Sequence, residues 1–189
     1  MEKNRIAPLA LPLSDSQQKL MDKIFPSQLP SPNLYRMVAR NEALWQDMIE
    51  SRIIGRTGLF DKGRIAPDLR EKIILRTCVA AKNDYEFALH IETISFQMGL
   101  SVEQIKDISS PKPNPKLWTE AELSIFSLID ALVNKIEVSE EIYDTVKAHY
   151  SEEVLIEIVH LVGLYVGVAM MVALGRPPLD NYKKFIKNA

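Results

Sequence analysis

The chain holds a single cysteine, Cys78, among 189 residues. No intrachain disulfide can form, which excludes a secreted, disulfide-stapled scaffold. Glycine is scarce as well, at seven residues, and aromatic side chains make up only 7%. Charge of one sign is also lacking: 23 basic against 25 acidic side chains leave a net charge of −2. Such a balance gives no electrostatic footprint for nucleic acid. No stretch alternates polar and apolar residues between hairpin turns, so strands are not expected. Residues 1–14 lack the continuous apolar core of a signal peptide. The most apolar run, Leu161 to Leu174, spans about 14 residues, short for a bilayer and suited to a buried core helix. Together these absences point to a cytoplasmic protein with no membrane partner. The composition is that of an ordinary globular chain, 47% apolar and 25% charged.

What is present is helical periodicity with clear punctuation. Residues 1–30 read as a Pro-punctuated arm and short helix, 31–180 as one helical domain, and 181–189 as a tail. Ser14 or Asp15 caps a helix that stops before Pro26. Ser31-Pro32 starts a helix, or a broken pair of helices, reaching about Ile54 and stopped by Gly55. Pro67 opens a helix through about Lys82, and Asn83 or Asp84 caps another that ends at Gly99. Ser101 with Gln104 and Thr119 with Glu122 are capping boxes for helices ending near Ile108 and Lys135. Between those two helices, residues 109–116 carry Pro111, Pro113 and Pro115, which forbid helix. Ser139 and Ser151 start two more helices, the last running to Leu174 with Gly175 as its stop. The fold class is all-α.

The helices over 67–99 concentrate the chemistry. On the first, Glu71, Ile74, Leu75, Cys78 and Val79 share one stripe. On the second, Phe87, Ile91, Ile94 and Met98 form an apolar stripe, with Asn83, Glu86 and His90 along its flank. Leu89 and Phe96 project from the opposite side, so this helix is expected to be buried on two faces, one of them in a subunit interface. A short connection makes the pair an antiparallel hairpin. Counting rise per residue offsets Glu71 from His90 by about one turn, near enough for a water-bridged relay. A carboxylate against an apolar wall beside a histidine suits proton transfer near neutral pH. Glu71, Glu86 and His90 are therefore the candidate catalytic groups, and Asn83, Tyr85 and Arg76 the candidate substrate contacts. For Arg76 a salt bridge is the commoner role. Cys78 shares the face of Glu71 and is a candidate thiol, although lone cysteines on apolar faces are mostly inert.

Metal binding is not expected. Glu86 and His90 place two ligands on one face, while His149 and His160 sit in later helices without a paired spacing. Glu157 and His160 read as a polar pair, and Gly163 with Gly167 allows another helix to approach closely. Trp45 and Trp118 are core or interface anchors.

Three segments carry a resemblance. They are Leu69-Arg70-Glu71-x-x-Ile74-Leu75-Arg76, Tyr85-Glu86-Phe87-Ala88-Leu89-His90, and Met98-Gly99-Leu100-Ser101-x-x-Gln104-Ile105. Together they resemble the carboxymuconolactone decarboxylase family, which includes the alkylhydroperoxidase D-like proteins. Pro32-Asn33-Leu34-Tyr35-Arg36 and the helix at 152–174 extend the resemblance over about residues 30–180. It implies an all-helical, alkylhydroperoxidase D-like subunit with a central antiparallel hairpin, assembled as a homotrimer or homohexamer and needing no cofactor.

In the peroxidase branch the relay glutamate falls on Glu71 and the relay histidine on His90. The two redox cysteines fall on Asn83 and Glu86, which form no disulfide, so dithiol peroxidase activity should be absent. The decarboxylase branch carries a glutamate four residues before the same histidine, as Glu86 and His90 do. The resemblance then implies a cofactor-free lyase acting on a small, unsaturated lactone acid. His90 would protonate the dienolate left by departing CO2, Glu86 would orient it, and Glu71 would serve as outer relay. Two other readings stand beside this one: a non-catalytic or small-molecule-binding oligomer that lost its thiols, and a single-thiol antioxidant protein centred on Cys78.

Overall fold

The structure is a computed structural model that describes residues 4–55 and 58–183. Nine α-helices and no strands occur among the described residues. The chain divides into two compact units, residues 1–63 with 171–189, and residues 64–170.

In the first unit, Ser14 builds a complete capping box with Gln17 and starts α1 (Asp15–Asp22). The expected broken pair is α2 (Asn33–Val38) and α3 (Glu42–Glu50), separated where Asn41 accepts from Leu44 N–H to cap α3. Phe25, Tyr35, Trp45 and Tyr182 form a chain of ring contacts with centroids 5.6–6.0 Å apart. The C-terminal segment is tied in through Asp180, whose carboxylate accepts from Asn33 N at 3.1 Å and from Asn33 Nδ2 at 2.9 Å. The Gly175 carbonyl accepts from Arg5 N and Ile6 N at 3.0 and 3.1 Å. A Cβ at Gly175 would lie 2.1 Å from Met37 Sδ, so a larger residue there requires the Met37 side chain to move.

The second unit is built around α4 (Pro67–Ala80). All eight residues from Glu71 to Cys78 are buried, so this helix is enclosed on every side rather than along one stripe. It packs against α5 (Asp84–Thr93) and α7 (Glu120–Lys135), and α7 in turn packs on α8 (Glu140–Lys147). Leu75, Leu100, Ile105, Ile108, Trp118 and Phe126 form a core cluster, with Ile105 from the short α6 (Val102–Asp107). Phe87, Ile91 and Met98 lie against that cluster, as their spacing implies. The proline-rich segment is pinned by Asp107, which accepts from Trp118 Nε1 at 2.7 Å and from Asn114 N at 2.9 Å.

Charges enclosed with α4 are paired. Lys72 bonds Asp68 at 2.8 Å and Glu122 at 2.5 Å. Arg76 clasps both carboxylate oxygens of Asp130 and donates to the carbonyls of Ile108 and Ser110 at 2.8 Å each.

One expectation about α5 needs correction. The helix expected to reach Gly99 ends at Thr93, because Ile94 leaves helical geometry and Ser95 N closes a wider turn onto His90 O at 3.0 Å. Of the two residues placed on its second face, Leu89 is buried within this chain and Phe96 is exposed.

The last helix, α9 (Glu152–Gly175), has 24 residues, and its most apolar 18-residue window has mean hydropathy 2.1 but is only 28% buried. It is thus long and apolar enough to cross a membrane, and it is not the enclosed core helix expected from the 14-residue run. Its span is the one expected from Ser151 to Gly175, and only its burial differs. Glu157 pairs with Arg64, and the His160 ring bonds Ile156 O at 2.8 Å, so neither breaks the helix and the two do not pair. A Cβ at Gly163 or Gly167 would meet nothing within 4 Å, so the close approach these glycines permit is not used within the chain.

Candidate functional site

The site begins with the connection between α4 and α5. Lys82 adopts left-handed geometry, φ 54°, just past the end of α4. Asn83 N then donates to Cys78 O at 2.8 Å and Lys82 N to Val79 O at 3.1 Å. This closed helix end makes the turn tight and fixes the register of the hairpin. Asn83 also caps α5 by accepting from Glu86 N–H at 3.2 Å.

The register brings Glu71 directly against His90, closer than the water-bridged separation inferred from residue counting. His90 Nδ1 lies 3.0 Å from each carboxylate oxygen of Glu71. The other ring nitrogen, Nε2, lies 3.5 Å from Glu86 Oε1 and 3.3 Å from the Tyr165 hydroxyl. The rings of His90 and Tyr165 meet edge to face, 5.6 Å between centroids. Ser95 Oγ donates to Glu71 Oε1 at 2.6 Å.

All of these groups except Tyr165 are buried, Glu71 to 1% exposure and His90 to 9%. Burial opposes charge on His90, but the Glu71 and Glu86 carboxylates overcome it and raise its pKa to about 10. Burial likewise opposes charge on Glu71, and the His90 cation with the Ser95 hydroxyl holds its pKa below the ordinary range. At neutral pH the pair is an imidazolium on a carboxylate. With Nδ1–H committed to Glu71, Nε2–H is the transferable proton, facing Glu86 and Tyr165. A group charged at rest acts first as an acid, not as a base.

Cys78 does approach this cluster. Burial, then the Glu86 and Glu71 charges, push its thiol pKa well above 9.0. The same carboxylates that pair with His90 therefore keep this sulfur protonated and unreactive.

Of the expected site residues, Glu71, Glu86 and His90 converge, and Asn83 stands beside them as the cap of α5. Tyr85 is buried in the first turn of α5. Arg76 is not brought to the cluster. It sits five residues past Glu71 on α4, with its guanidinium held by Asp130, Ile108 and Ser110. Among the described residues no group of three or more histidine, cysteine, aspartate or glutamate side chains is arranged to hold a metal.

Sequence reasoning missed Ser95 and Tyr165. Ser95 was assigned to a continuing helix, and only the early end of α5 turns its hydroxyl onto Glu71. Tyr165 carried a usable signal, a phenol inside an apolar run expected to be buried, where its hydroxyl would need a partner.

No family model and no curated protein matches the chain. Solved structures do. The debrominase Bmp8 in its apo form is 16% identical, with a TM-score of 0.77 over 96% of this chain and 95% of its own. A cysteine-to-alanine variant of Bmp8 in complex with 2,3,4-tribromopyrrole gives a TM-score of 0.78 at the same identity and coverage. An uncharacterized peroxidase-related protein from Silicibacter sp. TM1040 gives 0.75 at 12% identity, over 95% of each chain. At these identities the likeness establishes architecture: the chain has the all-helical, alkylhydroperoxidase D-like fold.

Proposed function

We propose that the chain is a cofactor-free enzyme that moves protons on a small molecule, with His90 as acid and Glu86 as its partner base. The observation that carries this reading is the division of labour on the His90 ring. Nδ1 is locked by Glu71, and Nε2–H is presented toward Glu86 and Tyr165. Glu86 Oε2, which has no protein partner, takes a proton from a carbon next to a carbonyl. The electron pair moves into that carbonyl, and His90 Nε2–H returns a proton to the conjugated position. Glu86 then passes the proton it took to neutral His90, still held by Glu71, across the 3.5 Å contact between Glu86 and His90 Nε2, which restores both groups. The Bmp8 variant, of the same fold, holds a small aromatic heterocycle, which supports a small-molecule site in this architecture.

The narrower form, suggested by the family resemblance, is decarboxylation of an unsaturated lactone acid. There the C–C bond to the carboxylate breaks, CO2 leaves, and His90 Nε2–H protonates the dienolate. With Arg76 bound to Asp130, this form loses the side chain expected to anchor the substrate carboxylate.

Hydrogen–deuterium exchange decides. In D2O, a panel of small carbonyl compounds that includes carboxymuconolactone should show carbon-bound exchange, or CO2 release, that His90→Gln abolishes. Absence of both across the panel moves the chain to the second reading, a binding or scaffold protein, which the burial of the cluster favours. Single-thiol peroxidase chemistry is disfavoured by the protonated Cys78. The exposed apolar side chains Ile156, Val159 and Met170 of α9, with Phe96, support self-association as a homotrimer or homohexamer.

A further inference from the structure

Two polar atoms at the start of α5 are not used by the relay as described at rest: Asn83 Nδ2 and Glu86 Oε2. Each is buried without a hydrogen-bond partner in the protein, on side chains that are 2% and 4% exposed. Their directions are set by the other ends of the same groups. Asn83 Oδ1 accepts from Glu86 N–H, so the amide NH2 is the end left over. Glu86 Oε1 faces His90 Nε2, so Oε2 is the end left over. One is a donor and the other an acceptor, one turn apart at the cap and third position of the same helix. Buried polar atoms in native proteins are nearly always satisfied, because an unmade hydrogen bond there is costly.

The chemistry of this pair restricts what satisfies it. An anion meets Glu86 and Glu71 together and is repelled. A cation satisfies Glu86 but offers nothing to the Asn83 amide. An ester or lactone carbonyl satisfies Asn83 and leaves Glu86 unmet. A neutral group with a carbonyl oxygen beside an N–H satisfies both at once.

We propose that Asn83 and Glu86 form a two-point subsite for a lactam or cis amide, whose carbonyl accepts from Asn83 Nδ2–H and whose N–H donates to Glu86 Oε2. The subsite rests on the small-molecule reading above and narrows its substrate class from lactones toward lactams. With Glu86 Oε2 occupied by the N–H, the proton that moves in this complex is the one on His90 Nε2, and the carbonyl that Asn83 polarises is the conjugated electron sink.

The test is an NMR titration of the whole chain with 2-pyrrolidinone, N-methyl-2-pyrrolidinone and γ-butyrolactone, followed through the Asn83 side-chain amide. The subsite requires 2-pyrrolidinone to shift that amide and to bind at least tenfold more tightly than the other two, which lack the N–H. Asn83→Asp keeps an oxygen to cap α5 but removes the donor, and should cost at least tenfold in 2-pyrrolidinone affinity. Asn83→Ser, which also caps, repeats the test should the aspartate perturb folding. Equal binding of all three probes, or undiminished binding by both variants, overturns the subsite. So does an Asn83 amide that shows a persistent contact to bound water and no response to any probe. Those outcomes leave the proton-transfer reading standing, since His90→Gln tests it separately.

Discussion

Helix α4 carries two buried charge clusters that are closed to different degrees. Lys72 and Arg76, four residues apart on one side, meet Asp68, Glu122, Asp130 and two backbone carbonyls. Glu71, on another side, meets His90 and Ser95, and the chain of contacts runs on to Glu86 and Tyr165. The first cluster ties α4 to α7 and to the turn after α6, and none of its buried side-chain N or O atoms lacks a partner among the described residues. The second ends in unpartnered atoms of Asn83 and Glu86. A network whose only work is to hold helices together gains from closing every bond. One that leaves a buried donor and an acceptor open calls for a further partner, a ligand or an ordered water.

Breaking the closed cluster should have the largest effect on stability. Arg76→Met keeps the bulk but leaves Asp130 and the buried Ile108 carbonyl without their donor, and should cost about 3 kcal/mol in denaturant unfolding. A loss below about 1 kcal/mol would mean that Arg76 is not the tie it resembles. Glu71→Gln comes next, at about 2 kcal/mol, because the amide still accepts from His90 but no longer balances its charge.

The pH dependence of stability separates the two clusters further. His90 has a folded pKa raised from the ordinary 6.5 to about 10, so its contribution is full below about pH 6.5 and disappears as pH rises through about 10. Glu71 is depressed, so its contribution is present above its ordinary 4.5 and is lost as pH falls below it. Unfolding free energy should therefore be greatest between about pH 4.5 and 6.5 and decline toward pH 10. Glu71→Gln should flatten that decline. Smallest in stability should be Glu86→Gln, within about 1 kcal/mol, while any exchange or turnover drops at least about a hundredfold. A stability loss as large as that of Arg76→Met would place Glu86 in the structural class.

The sequence made the helices legible wherever a local signal fixed an end. The capping boxes at Ser101 and Thr119 and the proline at the start of α4 placed three helix starts correctly. Glu71 and His90 were legible too, through their position at the edge of an apolar stripe. Effects set by tertiary contact were not. Nothing local to residues 83–99 announces that α5 stops at Thr93 and returns Ser95 to Glu71. The partner of Arg76 lies 54 residues away, and that separation conceals which charged side chain is structural. The span of α9 was legible from Ser151 and Gly175, but its exposure was not: nothing in the spacing shows that its most apolar window is only 28% buried.

His90 rests as an imidazolium between carboxylates, with one proton to give. That state is tested most directly by following the His90 ring carbon and nitrogen shifts by NMR from pH 5 to 11. The ring should stay doubly protonated through pH 8, with a midpoint near 10 that falls toward the ordinary histidine range in Glu71→Gln. A midpoint at or below 6.5 in the unmodified chain would contradict it, leaving His90 neutral at rest and unable to begin as the acid.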